Sequence, residues 1–297
     1  MKFGLRLPGA GPYAGPEAIT AFAQRAEELG FDALFMTDHI ALPTRLETRY
    51  PYRADGKFFW PPETPYLDTI LVLTWAAAAT ERIEVGTSVL IAGWHAPVNT
   101  AKAFATLDLL NGGRTICAIG TGWMKEQFDI LGSPFEERGP RTTEYIRLLK
   151  HLWSADEIDF EGRFWQYGGF KFYPKPVARP GRPSIPIWHG GKSDPVLRRV
   201  AKVADGWHPL YINPDELEQK LAKLERLLAD EGRTLDEITL SARPVDQATM
   251  DEETIARYAS LGVELLVLDT SFEHDSLGAV LDELDRLADQ LMPHKVA

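Results

Sequence analysis

A chain of 297 residues with 44% hydrophobic and 25% charged residues has ordinary globular composition and enough length to bury a sizeable core. Its formal net charge of −11 and pI near 5.2 argue against nucleic acid or an anionic membrane as principal partner, because both select a concentrated basic surface. A lone cysteine, Cys117, leaves no internal disulfide and no cysteine-cluster metal site. The opening MKFGLRLPG is read as too short and too soon proline-broken for a signal peptide. The apolar run 70–79 is about half of the ~20 residues that a membrane span needs, so a cytoplasmic protein is expected.

Residues 2–7, KFGLRL, alternate in polarity and predict a first strand, followed by a Gly/Pro loop to Gly15. Pro16 suits the first position of a helix, and Ile19, Phe22, Ala23, Ala26 and Leu29 recur at helical spacing up to Gly30. Residues 33–37 are the second predicted strand. The alternation then repeats. Strand 82–89 leads to helix 97–110, strand 115–120 to helix 141–153, and strand 185–189 to a helix opening at Asp194-Pro195. Strand 205–208 precedes a helix from Asn213-Pro214 that carries Leu217, Leu221, Leu224 and Leu228. Strand 238–242 precedes helix 251–261, and strand 263–268 precedes a last helix that reaches Leu291.

Eight strand-to-helix units in this length predict an α/β fold, a (β/α)8 TIM barrel. An open doubly wound sheet is disfavoured, since LPGAGPYAG is too proline-broken for its glycine fingerprint. No repeat or composition break divides the chain, so residues 1–297 read as one domain. Two inserted loops depart from the minimal barrel, 40–66 after strand 2 and 157–186 after strand 4, and the second contains a hairpin pattern, EGRFWQYGGFKFYPKP. In the first, Tyr50, Tyr52, Phe58, Phe59 and Trp60 are expected either to cover the barrel mouth or to form a subunit interface.

Strand C-terminal ends line the active site in this fold. That filter selects Asp38 and His39, then Ser88, Val89, Trp94 and His95, then Thr121, Gly122 and Trp123. It goes on to His189, Gly190, Gly191 and Ser193, and ends with His208, Arg243 and Asp269. A histidine at a strand end is more often a satisfied structural donor than a catalyst, but His39 follows Asp38 and precedes the aromatic insert. The stretch from His189 to Pro195 reads either as a tight turn or as an anion cradle, with backbone N–H groups and a helix N-terminus facing a phosphate. His189, His208 and Asp269 also stand where metal hydrolases of this fold place ligands. The His-x-His pair of such enzymes is replaced by Arg6-Leu7-Pro8, so no metal is expected.

Thr37-Asp38-His39 and Val85-Gly86-Thr87-Ser88-Val89 are followed by AKAFATLDLLNGGR (101–114), IGTGW (119–123), PFEERGPR (134–141) and IWHGG…ADGWHP (187–209). Taken together and in order, these motifs resemble the luciferase-like flavin and deazaflavin oxidoreductases over nearly the whole chain. The resemblance implies a (β/α)8 barrel that holds coenzyme F420, or alternatively FMN, at the strand C-terminal ends. It implies His39 as catalytic acid/base and Asp38 beside the deazaflavin ring. It implies Ser88-Val89 as a bulge, often a non-proline cis peptide, that backs the ring. Thr121 and Gly122 would border the cofactor, with His189, Gly190 and Gly191 at the phosphate. His39 is expected to do its proton work near neutral pH without a large pKa shift.

The implied activity is hydride transfer between coenzyme F420 and a small organic substrate, in a homodimer. An FMN-dependent monooxygenase is the alternative, and a metal hydrolase and a non-catalytic cofactor binder are the remaining classes. Pro43, Trp123 and Glu126 depart from the sugar-phosphate dehydrogenase branch, which disfavours glucose 6-phosphate and favours an aromatic-walled pocket.

Overall fold

Short apolar strands that bury both faces cannot stand alone, and here they close into a ring. The computed structural model describes residues 1–245, 250–271 and 274–295. The barrel strands are β1 (Lys2–Arg6), β2 (Ala33–Met36), β3 (Glu84–Thr87), β4 (Thr115–Gly120), β5 (Ile187–Gly190), β6 (Gly206–His208), β7 (Thr239–Pro244) and β8 (Leu265–Leu268). Each pairs in parallel with the next, and β8 returns to β1 with Lys2 opposite Leu265 and Leu5 opposite Leu268. The protein is therefore the closed parallel barrel that the strand–helix alternation predicts.

Side-chain size fills the barrel interior. Phe35 on β2 and Trp188 on β5 lie there with Ala33, Ile116, Ala118, Leu265 and Val267. Glycines on neighbouring strands make room for the two large rings. A Cβ on Gly86 would lie 2.8 Å from Phe35 Cε1, and one on Gly206 would lie 2.3 Å from Trp188 Cδ1. Large residues facing small ones let a narrow eight-stranded ring pack without voids.

Helices α1 (Pro16–Glu28), α2 (Thr69–Ala78), α3 (Pro97–Leu110), α4 (Lys125–Ile130), α5 (Arg138–Ser154), α6 (Asp194–Val203), α7 (Pro214–Asp230), α8 (Glu252–Ser260) and α9 (Leu277–Leu291) surround the strands. Sequence periodicity does not single out α2, because TILVLTWAAA is apolar nearly all round; its start is set by Asp68, whose carboxylate accepts from Leu71 N–H at 2.9 Å. The predicted strand 82–89 is interrupted. It pairs over Glu84–Thr87, passes through a cis Ser88–Val89 peptide bond, and resumes as Leu90–Ile91 against β4. The second insert forms the expected hairpin, Ile158–Glu161 against Gln166–Phe170. Its turn is held by Glu144, whose Oε1 accepts from Phe164 and Trp165 N–H at 2.8 Å. Among the described residues no helix is long and apolar enough to cross a membrane.

Gly206→Ala should overpack the barrel, because the nearest obstacles to its Cβ include the Thr239 carbonyl at 2.8 Å as well as the Trp188 ring. The expected loss is about 1–3 kcal/mol of unfolding free energy, read from urea denaturation. A variant as stable as the parent would contradict this account of the interior.

Candidate active site

The C-terminal ends of the strands open into a cavity of about 300 Å³. Eight of the nine residues to which the family resemblance gives a role reach it: Asp38, His39, Ser88, Val89, Thr121, Gly122, Gly190 and Gly191. His189 does not line it. That ring is fully buried, with Nε2 3.1 Å from Arg199 Nη1 on α6 and Nδ1 2.8 Å from the Gly190 carbonyl. Its position at a strand end led to the cofactor expectation, but its partners make it a strut between β5 and α6.

The cavity floor rests on Val89. A Cβ on Gly190 would lie 2.4 Å from Val89 Cγ1, and one on Gly120 would lie 2.5 Å from Val89 Cγ2. Two adjacent strands therefore carry glycine where Val89 seats. Behind it, Ser88 Oγ lies 2.8 Å from His208 Nε2, and His208 Nδ1 lies 2.7 Å from Ser241 Oγ. His208 is thus spent on holding the bulge. Asp269 is spent as well, accepting from Arg6 Nε at 2.7 Å and from Arg243 Nε at 3.0 Å. Burial alone would raise the Asp269 carboxyl, and the Arg243 and Arg6 charges hold it low. With His189 on Arg199, the three residues of the metal reading have separate partners. Among the described residues no such group of metal ligands is present.

His39 is ringed by Phe58, Tyr66 and Trp94, at centroid distances of 5.0, 5.1 and 5.7 Å. Burial lowers its pKa to about 4, against the opposing pulls of Asp38 and Gln127. This corrects the expectation of an unshifted histidine, since the aromatic collar disfavours the charged ring. Gln127 Nε2 lies 2.9 Å from His39 Nδ1, which leaves Nε2 as the ring nitrogen without a partner among the described residues.

Asp38 lines the cavity, yet both its carboxylate oxygens are occupied. Oδ1 accepts from Thr69 Oγ1 at 3.3 Å, and Oδ2 accepts from Ile91 N–H at 2.9 Å and from His95 Nε2 at 2.8 Å. Burial would lower the His95 pKa, but the Asp38 hydrogen bond and charge raise it overall.

At the far side, Gly191 adopts φ +101°, a conformation that favours glycine. Its N–H donates to the His208 carbonyl at 3.2 Å and its carbonyl accepts from Trp207 Nε1 at 2.8 Å, so the N–H that would face an anion is already committed. Lys192 and Ser193 also line the cavity, and the Ser193 side chain makes no capping bond at the start of α6. Asp194 in that first turn pairs with Lys223 at 2.5 Å.

The aromatic insert lies over the mouth. Tyr50 and Phe58 pack on Trp123, beyond β4, at 5.0 and 5.4 Å, and Tyr52 packs on Tyr211, beyond β6, at 5.1 Å. The insert is anchored from α4, where Glu126 Oε1 accepts from Glu47 and Thr48 N–H at 2.8 and 2.9 Å. In the sequence Glu126 stands out only as a departure and Gln127 not at all, because a single amide three residues past Met124 carries no pattern of its own.

Residues 1–266 match the luciferase-like monooxygenase family, and the chain belongs to it. A curated relative, F420-dependent glucose-6-phosphate dehydrogenase of Intrasporangium calvum, is 31% identical over 95% of this chain and 80% of its own. Two solved structures each cover 99% of both chains. An F420-dependent secondary alcohol dehydrogenase in complex with an F420–acetone adduct has a TM-score of 0.76 at 16% identity. The monooxygenase RslO1 of Streptomyces bottropensis has a TM-score of 0.75 at 18% identity. At these identities the two structures establish a shared fold.

The buried histidines give the fold an acid limb. His39, at about 4, and His189 and His208, each at about 3 with burial as the main cause, are lowered from the ordinary 6.5. Their contribution is present above pH 6.5 and is lost as the pH falls toward those values, because the unfolded chain takes up protons that the folded chain refuses. His95, whose pKa is raised, works in the opposite sense. Urea unfolding should show stability falling from pH 7 to pH 5, with a shallower fall in His208→Asn. An unchanged slope would show that His208 is not held neutral.

Proposed function

We propose that this protein is a coenzyme F420-dependent oxidoreductase acting on a small organic substrate, with His39 at the substrate oxygen. One observation carries the reading. An imidazole bonded through Nδ1 to Gln127, its pKa lowered by burial, lines the same cavity as Val89. A neutral histidine can donate a hydrogen bond to a carbonyl oxygen without first being protonated, or accept from a hydroxyl once its tautomer changes. The F420-dependent relative at 31% identity supports the choice of cofactor.

The cavity residues fit such a group. Val89, seated against Gly120 and Gly190, offers a floor for a ring system, with Thr121 and Gly122 along its border. Arg6, Arg243 and Lys192 line the same cavity, the arginines paired with Asp269 and Lys192 with Glu216 at 2.7 Å, and the start of α6 offers the positive end of a helix dipole. When bound, F420 supplies two-electron hydride chemistry. The chain's own work is to orient the ring, to cover it with the aromatic insert, and to manage the substrate oxygen at His39. In this reading Asp38 acts by holding Thr69, Ile91 and His95 in place rather than by touching substrate. The homodimer belongs to the same proposal, since Leu71 and Trp75 on α2 are 70% and 53% exposed and suit coverage by a second copy.

The test is anaerobic titration with F420 and, separately, FMN, followed by mixing the reduced protein–F420 complex with a panel of ketones, aldehydes and enones. Tight F420 binding and reoxidation by a panel member are expected. His39→Ala should slow that reaction by ~10²- to 10⁴-fold while F420 affinity stays within a few-fold. Preferential binding of FMN with stoichiometric oxygen consumption would overturn the proposal and identify a monooxygenase.

A further inference from the structure

Gln127 is fully buried and contributes nothing to the cavity lining, yet its carboxamide is the hydrogen-bonding partner of the proposed catalytic ring. Nε2 lies 2.9 Å from His39 Nδ1, while Oε1 is buried without a partner among the described residues. A buried acceptor left unsatisfied is costly and rare in native proteins. The backbone around it is well held. Gln127 N–H donates to the Met124 carbonyl, its own carbonyl accepts from Leu131 N–H, and the adjacent Phe128 packs edge-on against Trp94. The amide is therefore delivered to His39 by a fixed turn of helix, with rotation about its last bond as the remaining freedom.

Two of the other polar groups near the ring are committed elsewhere, while Trp94 Nε1 is a buried donor without a partner among the described residues. Tyr66 hydroxyl is bonded to Thr37 Oγ1, and Asp38 is shared by Thr69, Ile91 and His95. Chemistry then follows from the carboxamide. With its NH2 toward Nδ1, the neutral ring must carry its proton on Nε2, which becomes a donor facing the cavity. After half a turn the oxygen faces Nδ1–H, the buried acceptor gains its bond, and Nε2 becomes an acceptor. A carboxylate in this place would instead favour the charged ring and remove the choice.

We propose that Gln127 is a positioning residue that sets the tautomer of His39, presenting Nε2–H to substrate oxygen. The proposal rests on the reading that His39 faces the substrate, and its test separates the two. The full-length protein, without cofactor, is labelled with ¹⁵N-histidine, and His39 is assigned from the resonances lost in His39→Asn. Wild type should show the Nε2–H tautomer at neutral pH. Gln127→Glu should raise the His39 titration midpoint by about 1–3 pH units. Gln127→Met, of similar volume and with no hydrogen bond to give, should leave the ring neutral but in mixed tautomers; it decides the matter if the glutamate variant does not fold. A Gln127→Met protein with the wild-type tautomer, or a folded Gln127→Glu protein with an unmoved midpoint, would overturn the inference. Adding F420 to wild type should shift the His39 resonances. If they stay still, the placement of substrate chemistry at His39 fails, while the apoprotein spectra still judge Gln127.

Discussion

The carboxylate of Asp38 ties together the parts from which the site is made. It stands at the end of β2 and receives hydrogen bonds from Thr69 at the start of α2, from the Ile91 backbone beyond the bulge, and from His95. A buried carboxylate is tolerated only when such donors replace water, and these three come from two separate segments. Their convergence fixes the direction in which the chain leaves β2, and hence where the next residue, His39, presents its ring. Removing that anchor would leave the buried Ile91 amide without its acceptor and His95 without its partner.

Around that anchor, shape rather than charge does most of the remaining work. Val89 occupies space that Gly120 and Gly190 leave open, which brings the bulge into contact with the strands on its far side. The barrel interior follows the same rule with Phe35 and Trp188 against Gly86 and Gly206. The aromatic insert then closes the mouth, resting on Trp123 and Tyr211 and anchored through Glu126. One consequence is electrostatic. Histidines near this well-packed centre are kept neutral, and His39, His189 and His208 differ only in which partner each ring is given.

Family membership comes from a match over residues 1–266, and the neighbours of known structure share the fold at low identity. They include a monooxygenase and an F420-dependent alcohol dehydrogenase, so the fold alone does not choose between the two chemistries. The proposed choice depends on the F420-dependent relative and on two local features, a histidine with one committed nitrogen and a glycine-seated floor.

The order of strands and helices, the barrel, the two inserts and most cavity residues were legible in the chain. Polarity alternation, helical spacing and turn residues are local properties, and a parallel barrel places every strand end on one face. The same locality explains the failures. Helix α2 is apolar on all sides and so shows no period, and His189 ends a strand as His39 does while serving α6. Only the tertiary structure decided which polar atoms meet. Asp38 reaches 53 residues to Ile91, His39 reaches 88 to Gln127, and Ser88 reaches 120 to His208. Such bonds form because barrel closure brings distant strand ends together in a space without water, where each buried polar group must find its partner in the protein.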